Sequence, residues 1–270
     1  MLIRAGYDIG FECEVPTPML AMLSVHPSRN KDLATPHHIL TVPEVPIYDY
    51  LDAYGNVCSR FTVPQGGLTL SCAFTIADDG LPDPASPGAV QHAVEDLPDE
   101  ALLYLLGSRY CETDRLSETA WSLFGRIASG WEKVQAIATF TNRHIEFGYH
   151  HARSNRTAWD TYQEQRGVCR DFAHLAIALC RCMNIPARYC TGYLGDIGVT
   201  PSDVPMDFSA WFEVWLGNAW HVFDARHSFP RIGRILMARG RDATDTALTT
   251  SFGPSTLTRF QVYTEAVAEE

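Results

Sequence analysis

The sequence predicts an α+β protein in two parts, an antiparallel β-sandwich over residues 1–95 and a mixed helix-and-strand domain over residues 96–270. Three observations carry this. The first third is a series of short apolar stretches separated by Pro, Gly and Asn, the pattern of antiparallel strands and tight turns. The middle changes to a helical period. Strand-like runs then return after Asn184-Ile185-Pro186, where proline disfavours helix in the residue before it.

In order, residues 2–15, Met19–Val25, His38–Val42 and Ile47–Tyr50 read as strands. A turn at Gly55-Asn56 leads into Val57–Val63, and Gln65-Gly66-Gly67 leads into Leu68–Ile76. Asp78–Pro87, rich in Asp, Gly and Pro, ends this region and places a boundary within residues 78–98. Pro98-Asp99-Glu100 opens a short helix to Leu106, and Ser117-Glu118 opens another. Trp131, Val134, Ile137, Ala138 and Phe140 form the buried stripe of a third, and Thr157–Gln165 is a short helix or turn. The strongest helix starts at Cys169, with Phe172, Ala173, Ala176, Leu179, Cys180 and Met183 on one stripe. Ala187–Leu194, Ala210–Leu216 and Ala219–Asp224 are strands, the last two joined by a hairpin turn at Gly217-Asn218. The tail after residue 230 alternates strand and coil and suggests no role of its own.

Composition narrows the function. With a formal net charge of -11, the chain lacks the basic surface that phosphate backbones and anionic lipids require, so neither nucleic acid nor membrane is an expected partner. The N-terminus has no positive segment followed by an apolar one, and no apolar run reaches the ~18 residues of a membrane helix. The expected location is the cytoplasm, and nothing in the sequence specifies an oligomeric state. The 8 cysteines (13, 58, 72, 111, 169, 180, 182 and 190) contain no CxxC pair and read as free thiols, mostly core. His150-His151 lack a third ligand at a helical interval, adjacent histidines are expected to point apart, and no HExxH, GxxxxGK or GxGxxG occurs. No metal or cofactor is expected.

Gly167-Val168-Cys169 before a helix has a chemical meaning. The first N–H groups of a helix lack intrahelical partners, and the dipole adds positive potential there. A thiol at that point is expected to have its thiolate stabilised and its pKa lowered, and the same N–H groups can hold an oxyanion. Gly167 permits close approach of the backbone. The plainer alternative is a thiol packed in the core.

The stretch Arg166-Gly-Val-Cys-Arg-Asp-Phe-Ala-His-Leu-Ala176 resembles the nucleophile helix of the transglutaminase-like superfamily. Pro205-Met-Asp-Phe-Ser-Ala-Trp-Phe-Glu-Val-Trp-Leu216 and Trp220-His-Val-Phe-Asp-Ala-Arg226 resemble its second and third active-site segments. The strand-rich first third resembles the β module that accompanies bacterial members. The resemblance implies a papain/transglutaminase-like core, a thioester mechanism, a peptide or protein substrate, and a site built from Cys169, position 209 and Asp224. One position departs from the pattern: the family's histidine is replaced by Ser209, whose hydroxyl is no base near pH 7.

Three explanations stay open: a relative with lost or altered amide chemistry, a deliberate removal of the base, or another histidine taking the role. Of the candidates, His174 is expected to face away from Cys169 on the helix, and His221 to lie on the opposite strand face from Asp224. His227 sits in a loop that can swing inward. Asp224 beside Arg226 has the plainer reading of a surface ion pair. Trp159 and Gln163 are weak oxyanion candidates, and Trp211, Trp215 and Trp220 read as core aromatics. The two functions in contention are an amide hydrolase (less plausibly a transamidase) and a silent module that binds a peptide or protein.

Overall fold

The computed structural model describes residues 1–128, 130–201 and 205–268. The N-terminal strands are β1 (Leu2–Glu12), β2 (Thr17–Ala21), β3 (Leu40–Val42), β4 (Tyr48–Leu51), β5 (Val57–Val63) and β6 (Leu68–Ala77). Helices α1 (Asp99–Leu102), α2 (Thr113–Phe124) and α3 (Trp131–His144) follow, then β7 (Glu146–Phe147), α4 (Ala158–Glu164), β8 (Arg166–Gly167) and α5 (Cys169–Cys182). The chain closes with β9 (Ala187–Tyr193), β10 (Ser209–Leu216), β11 (Ala219–Phe223), β12 (Ile235–Gly240), β13 (Thr249–Ser251) and β14 (Thr256–Ala266). This is the expected α+β architecture, with three four-stranded antiparallel sheets, a short parallel pair β7-β8, and the helices packed against one of the sheets among the described residues.

The helical elements fall where the apolar period put them, with one difference. Helix α2 begins at Thr113 rather than near Ser117. Leu116, Ala120 and Phe124, four residues apart, are its buried face, and Asp114 in the first turn complements the dipole. Leu175 to Leu179 of α5 are all buried, so this helix is enclosed on every side, as expected of one apolar all round. The hairpin between β10 and β11 turns through Gly217 (φ 55°) and Asn218 (φ 65°), two successive left-handed residues that match the twist of the strands they join.

The sandwich is completed from the far end of the chain. Strand order is β14-β1-β6-β3 in one sheet and β13-β2-β5-β4 in the other, so the tail that suggested no role supplies a strand to each. Their shared core also takes Tyr193, Phe208, Ile235 and Met237 from the second half. Strand pairing therefore crosses the line drawn at residues 95/96. Buried Asn56 adds a further tie: it donates to the carbonyl of Arg239 and accepts that residue's N–H, both at 2.9 Å. The third sheet, β11-β10-β9-β12, carries α5 on one face and the sandwich core on the other.

His174 of α5 is fully buried between the rings of Tyr110 and Tyr189, and its Nε2 accepts the N–H of Ala243 at 3.1 Å. Burial lowers its pKa to about 3, and that of His26 to about 4. A histidine held neutral by the fold binds its proton more readily when unfolded. Its contribution is therefore complete above the unfolded value of ~6.5 and is lost as pH falls toward the folded value. Urea midpoints are expected to fall steadily from pH 7 to pH 4.5, above the carboxylate range, and the slope should flatten in His174→Gln. A flat profile in the parent protein would rule out this account.

Candidate active site

The start of α5 is built around Asp171, which is fully buried. Its Oδ2 accepts the N–H of Val168 at 2.9 Å and a hydrogen bond from Arg156 Nη1 at 3.1 Å, tying the first turn to the segment before α4. Arg156 in turn bonds Glu164 of α4. Gly167 is required by space: a Cβ there would come within 2.7 Å of the Asp171 side chain. These contacts fix where Cys169 stands.

Cys169 lines a cleft of about 640 Å³ together with Tyr110, Tyr189, Asp207, Ser209 and Thr246. The thiol is only 8% exposed, and its sulfur lies 4.0 Å from the carbonyl of Phe208, one residue before Ser209. The expectation of a lowered thiol pKa is not met. Burial pushes it up to about 11, against the opposing pull of the Arg226 guanidinium and the N–H groups of Ala210 and Arg170, while Asp207 pushes it further up. Removing water from the sulfur outweighs what the helix start supplies. This balance favours the neutral thiol at rest.

Ser209 pairs with Gly192 across β10 and β9. Its Oγ is buried and has no hydrogen-bond partner among the described residues. Ser209 and Asp207 also line a second, smaller cleft of about 140 Å³, with Tyr149, Arg226, His227 and Arg231. The two clefts meet at these two side chains.

Asp224 is not the surface ion pair of the plainer reading. It accepts the backbone N–H groups of Arg226 and His227 on Oδ1, at 2.9 and 3.0 Å. Its Oδ2 meets His227 Nδ1 at 2.9 Å and Arg234 Nη2 at 2.8 Å. Burial alone would raise its pKa, yet Arg234 and His227 hold it well below the usual carboxylate range. The Arg226 guanidinium instead lies 3.9 Å over the ring of Phe147.

The other candidates separate clearly. Neither His174 nor His221 lines either cleft; the His221 ring nitrogen meets the Leu216 carbonyl at 3.1 Å and its ring packs on Trp131. Trp159 sits under the Arg115 guanidinium and Gln163 is exposed, so neither oxyanion candidate reaches the thiol's cleft. Of the three tryptophans expected in the core, Trp211 is buried while Trp215 and Trp220 are half-buried and pack on each other, and none lines either cleft. The rings of His150 and His151 lie 3.9 Å apart rather than diverging, within a short 3₁₀ turn that sets both rings on one side. No group of three or more His, Cys, Asp or Glu among the described residues is placed to hold a metal, and no helix there is long and apolar enough to cross a membrane.

Sequence reasoning missed Arg234 and Asp207. A buried carboxylate needs a counter-charge, and the nearby Pro230-Arg231-Ile-Gly-Arg234 offered two. Asp207 gave no such signal.

Comparison with known proteins agrees with this fold. The profile described as Transglutaminase-like superfamily matches residues 120–225, from α2 to just beyond Asp224. An uncharacterized protein of Mycobacterium leprae is 26% identical over 226 residues, covering 78% of this chain and 77% of its own. An uncharacterized Mycobacterium tuberculosis protein is 30% identical over 223 residues, covering 72% and 68%. Among solved structures, a Cytophaga hutchinsonii protein named as a candidate cysteine protease superposes with a TM-score of 0.85 at 30% identity, covering 100% of this chain and 92% of its own. By the profile match to its core and this full-length structural match, the chain belongs to the transglutaminase-like superfamily.

Proposed function

We propose that the protein is a thiol-dependent amide hydrolase in which Cys169 attacks the carbonyl and His227, held by Asp224, replaces the imidazole absent from position 209. One observation carries this reading: the 2.9 Å contact between His227 Nδ1 and Asp224 Oδ2, with the imidazole lining the same small cleft as Ser209. An acid that fixes one ring nitrogen sets the tautomer and leaves the other free for proton transfer. The family's acid thus keeps an imidazole partner, on the turn after β11 instead of on β10.

The sulfur and the ring lie in adjoining clefts rather than in contact, and Ser209 borders both. Its hydroxyl, one donor with two acceptor lone pairs, is unpartnered at rest among the described residues; in the proposed step it bonds both groups once substrate is bound and passes the proton from Cys169 to His227 as the carbon–sulfur bond forms. This route suits a resting thiol better than a preformed ion pair. The first N–H groups of α5 receive the oxyanion, His227 returns the proton to the leaving amine, and water resolves the thioester. The substrate is a peptide or protein.

The test is turnover of a pooled library of acetylated peptides, read by mass spectrometry. Hydrolysis should require Cys169, and Ser209→Ala should slow it. A full set of intact peptides with no acyl group on Cys169 rejects the proposal. The unpartnered Ser209 hydroxyl and the neutral thiol favour one other reading, a silent peptide-binding cleft. It predicts peptide binding without turnover, and turnover gained in Ser209→His. As a separate check, iodoacetamide labelling of Cys169 should keep rising past pH 9, because a thiol near 11 is about one part in ten thousand thiolate at pH 7. A plateau near neutral pH would contradict the burial argument.

A further inference from the structure

We infer that the small cleft is a subsite for a single C-terminal residue with a free carboxylate, so that the enzyme releases one free amino acid. This rests on the proposed hydrolase reading and adds the chemistry of the leaving group. In that reading the nucleophile lines the large cleft and the imidazole that protonates the leaving amine lines the small one. The acyl half of the substrate therefore occupies the former and the amine half departs into the latter.

Three features of the small cleft specify that half. Its volume of about 140 Å³ is well short of the space a drug-sized ligand fills. It has room for about one residue. Two arginines, Arg226 and Arg231, line it. Arg231 is 4% exposed, anchored through Nη2 on the Gly195 carbonyl at 2.9 Å and paired at 3.6 Å with Asp196, which lines the same cleft; only its buried Nε has no partner among the described residues. A buried guanidinium with an unused donor is suited to a carboxylate, which accepts several hydrogen bonds at once.

Asp207 completes the pattern. Before cleavage the departing nitrogen is a neutral amide. Once the carbon–nitrogen bond breaks and His227 supplies its proton, the amine takes a further proton from water and becomes an ammonium. The Asp207 carboxylate, on the wall shared by both clefts, then faces a cation. With Asp196 offsetting one of the two arginines, the remaining positive charge faces the carboxylate and Asp207 faces the ammonium, the two charges of a free amino acid.

The test has two arms. In the first, calorimetry on Cys169→Ala protein compares alanine with alaninamide. Alanine should bind about tenfold or more tightly, as the loss of charge-assisted hydrogen bonds implies, and Arg226→Gln should reduce that preference. Equal affinities, or no binding of either, overturn the subsite. In the second, acetylated dipeptides with free or amidated C-termini are compared by kcat/KM. The free acids should lead by a similar factor, and a ratio near one overturns the inference. Should alanine bind while no peptide is ever turned over, the hydrolase reading fails and the subsite stands.

Discussion

Replacing His227 by alanine is expected to lower kcat/KM for amide hydrolysis by about 10²–10⁴-fold, the usual contribution of a positioned proton-transfer group. The side chain gives up one hydrogen bond, to Asp224, so the stability change should be about 1 kcal/mol. Asp224 keeps Arg234 and two backbone N–H groups in the variant, so its carboxylate stays satisfied. A large kinetic effect with a small stability effect separates chemistry from folding. The double variant Cys169→Ala/His227→Ala should be no slower than Cys169→Ala alone, because groups acting as one unit lose their effect together. Ser209→His in the His227→Ala background should restore part of the rate. Residue 209 lines the same cleft as the sulfur, so an imidazole there is expected to act on the thiol without the relay. Undiminished turnover in His227→Ala would remove the relocated base from the mechanism.

Much of the fold was legible because it follows from local periodicity. The α5 stripe, the stop at Asn184-Ile185-Pro186 and the Gly217-Asn218 hairpin are each written in a few adjacent residues. The completion of the sandwich by β13 and β14 was not, since pairing between Ile3 and Ala266 depends on contacts more than 260 residues apart. Segment resemblance singled out Cys169, Ser209 and Asp224; Cys169 and Ser209 line one cleft, and Asp224 holds the His227 that lines the other. Their electrical state was not legible. A helix start argues for a low thiol pKa, but burial is a tertiary property, and here it decides the sign. The pairing of His227 with Asp224 lay within reach of sequence, three residues apart on a turn. What sequence lacked was the orientation of that turn, set by two N–H bonds to Oδ1.

Asp171→Ala should produce the largest loss of stability among the substitutions considered, about 3 kcal/mol in urea unfolding. The carboxylate is fully buried, and its removal leaves the nearly buried Arg156 with Glu164 as its remaining ion-pair partner. It also leaves the Val168 N–H, at the mouth of α5, without its acceptor. Asp171→Asn keeps an acceptor of the same shape and loses only the charge, so it should lie between the parent and the alanine variant. The consequence for the site follows from the same contacts. With the first turn loosened, water reaches the sulfur, the desolvation that holds the thiol near 11 is relieved, and iodoacetamide labelling at pH 8 should become faster. Slower turnover together with faster alkylation is the signature of a nucleophile that has gained exposure and lost its position. Unchanged stability and unchanged labelling would mean that the first turn is held by something other than Asp171.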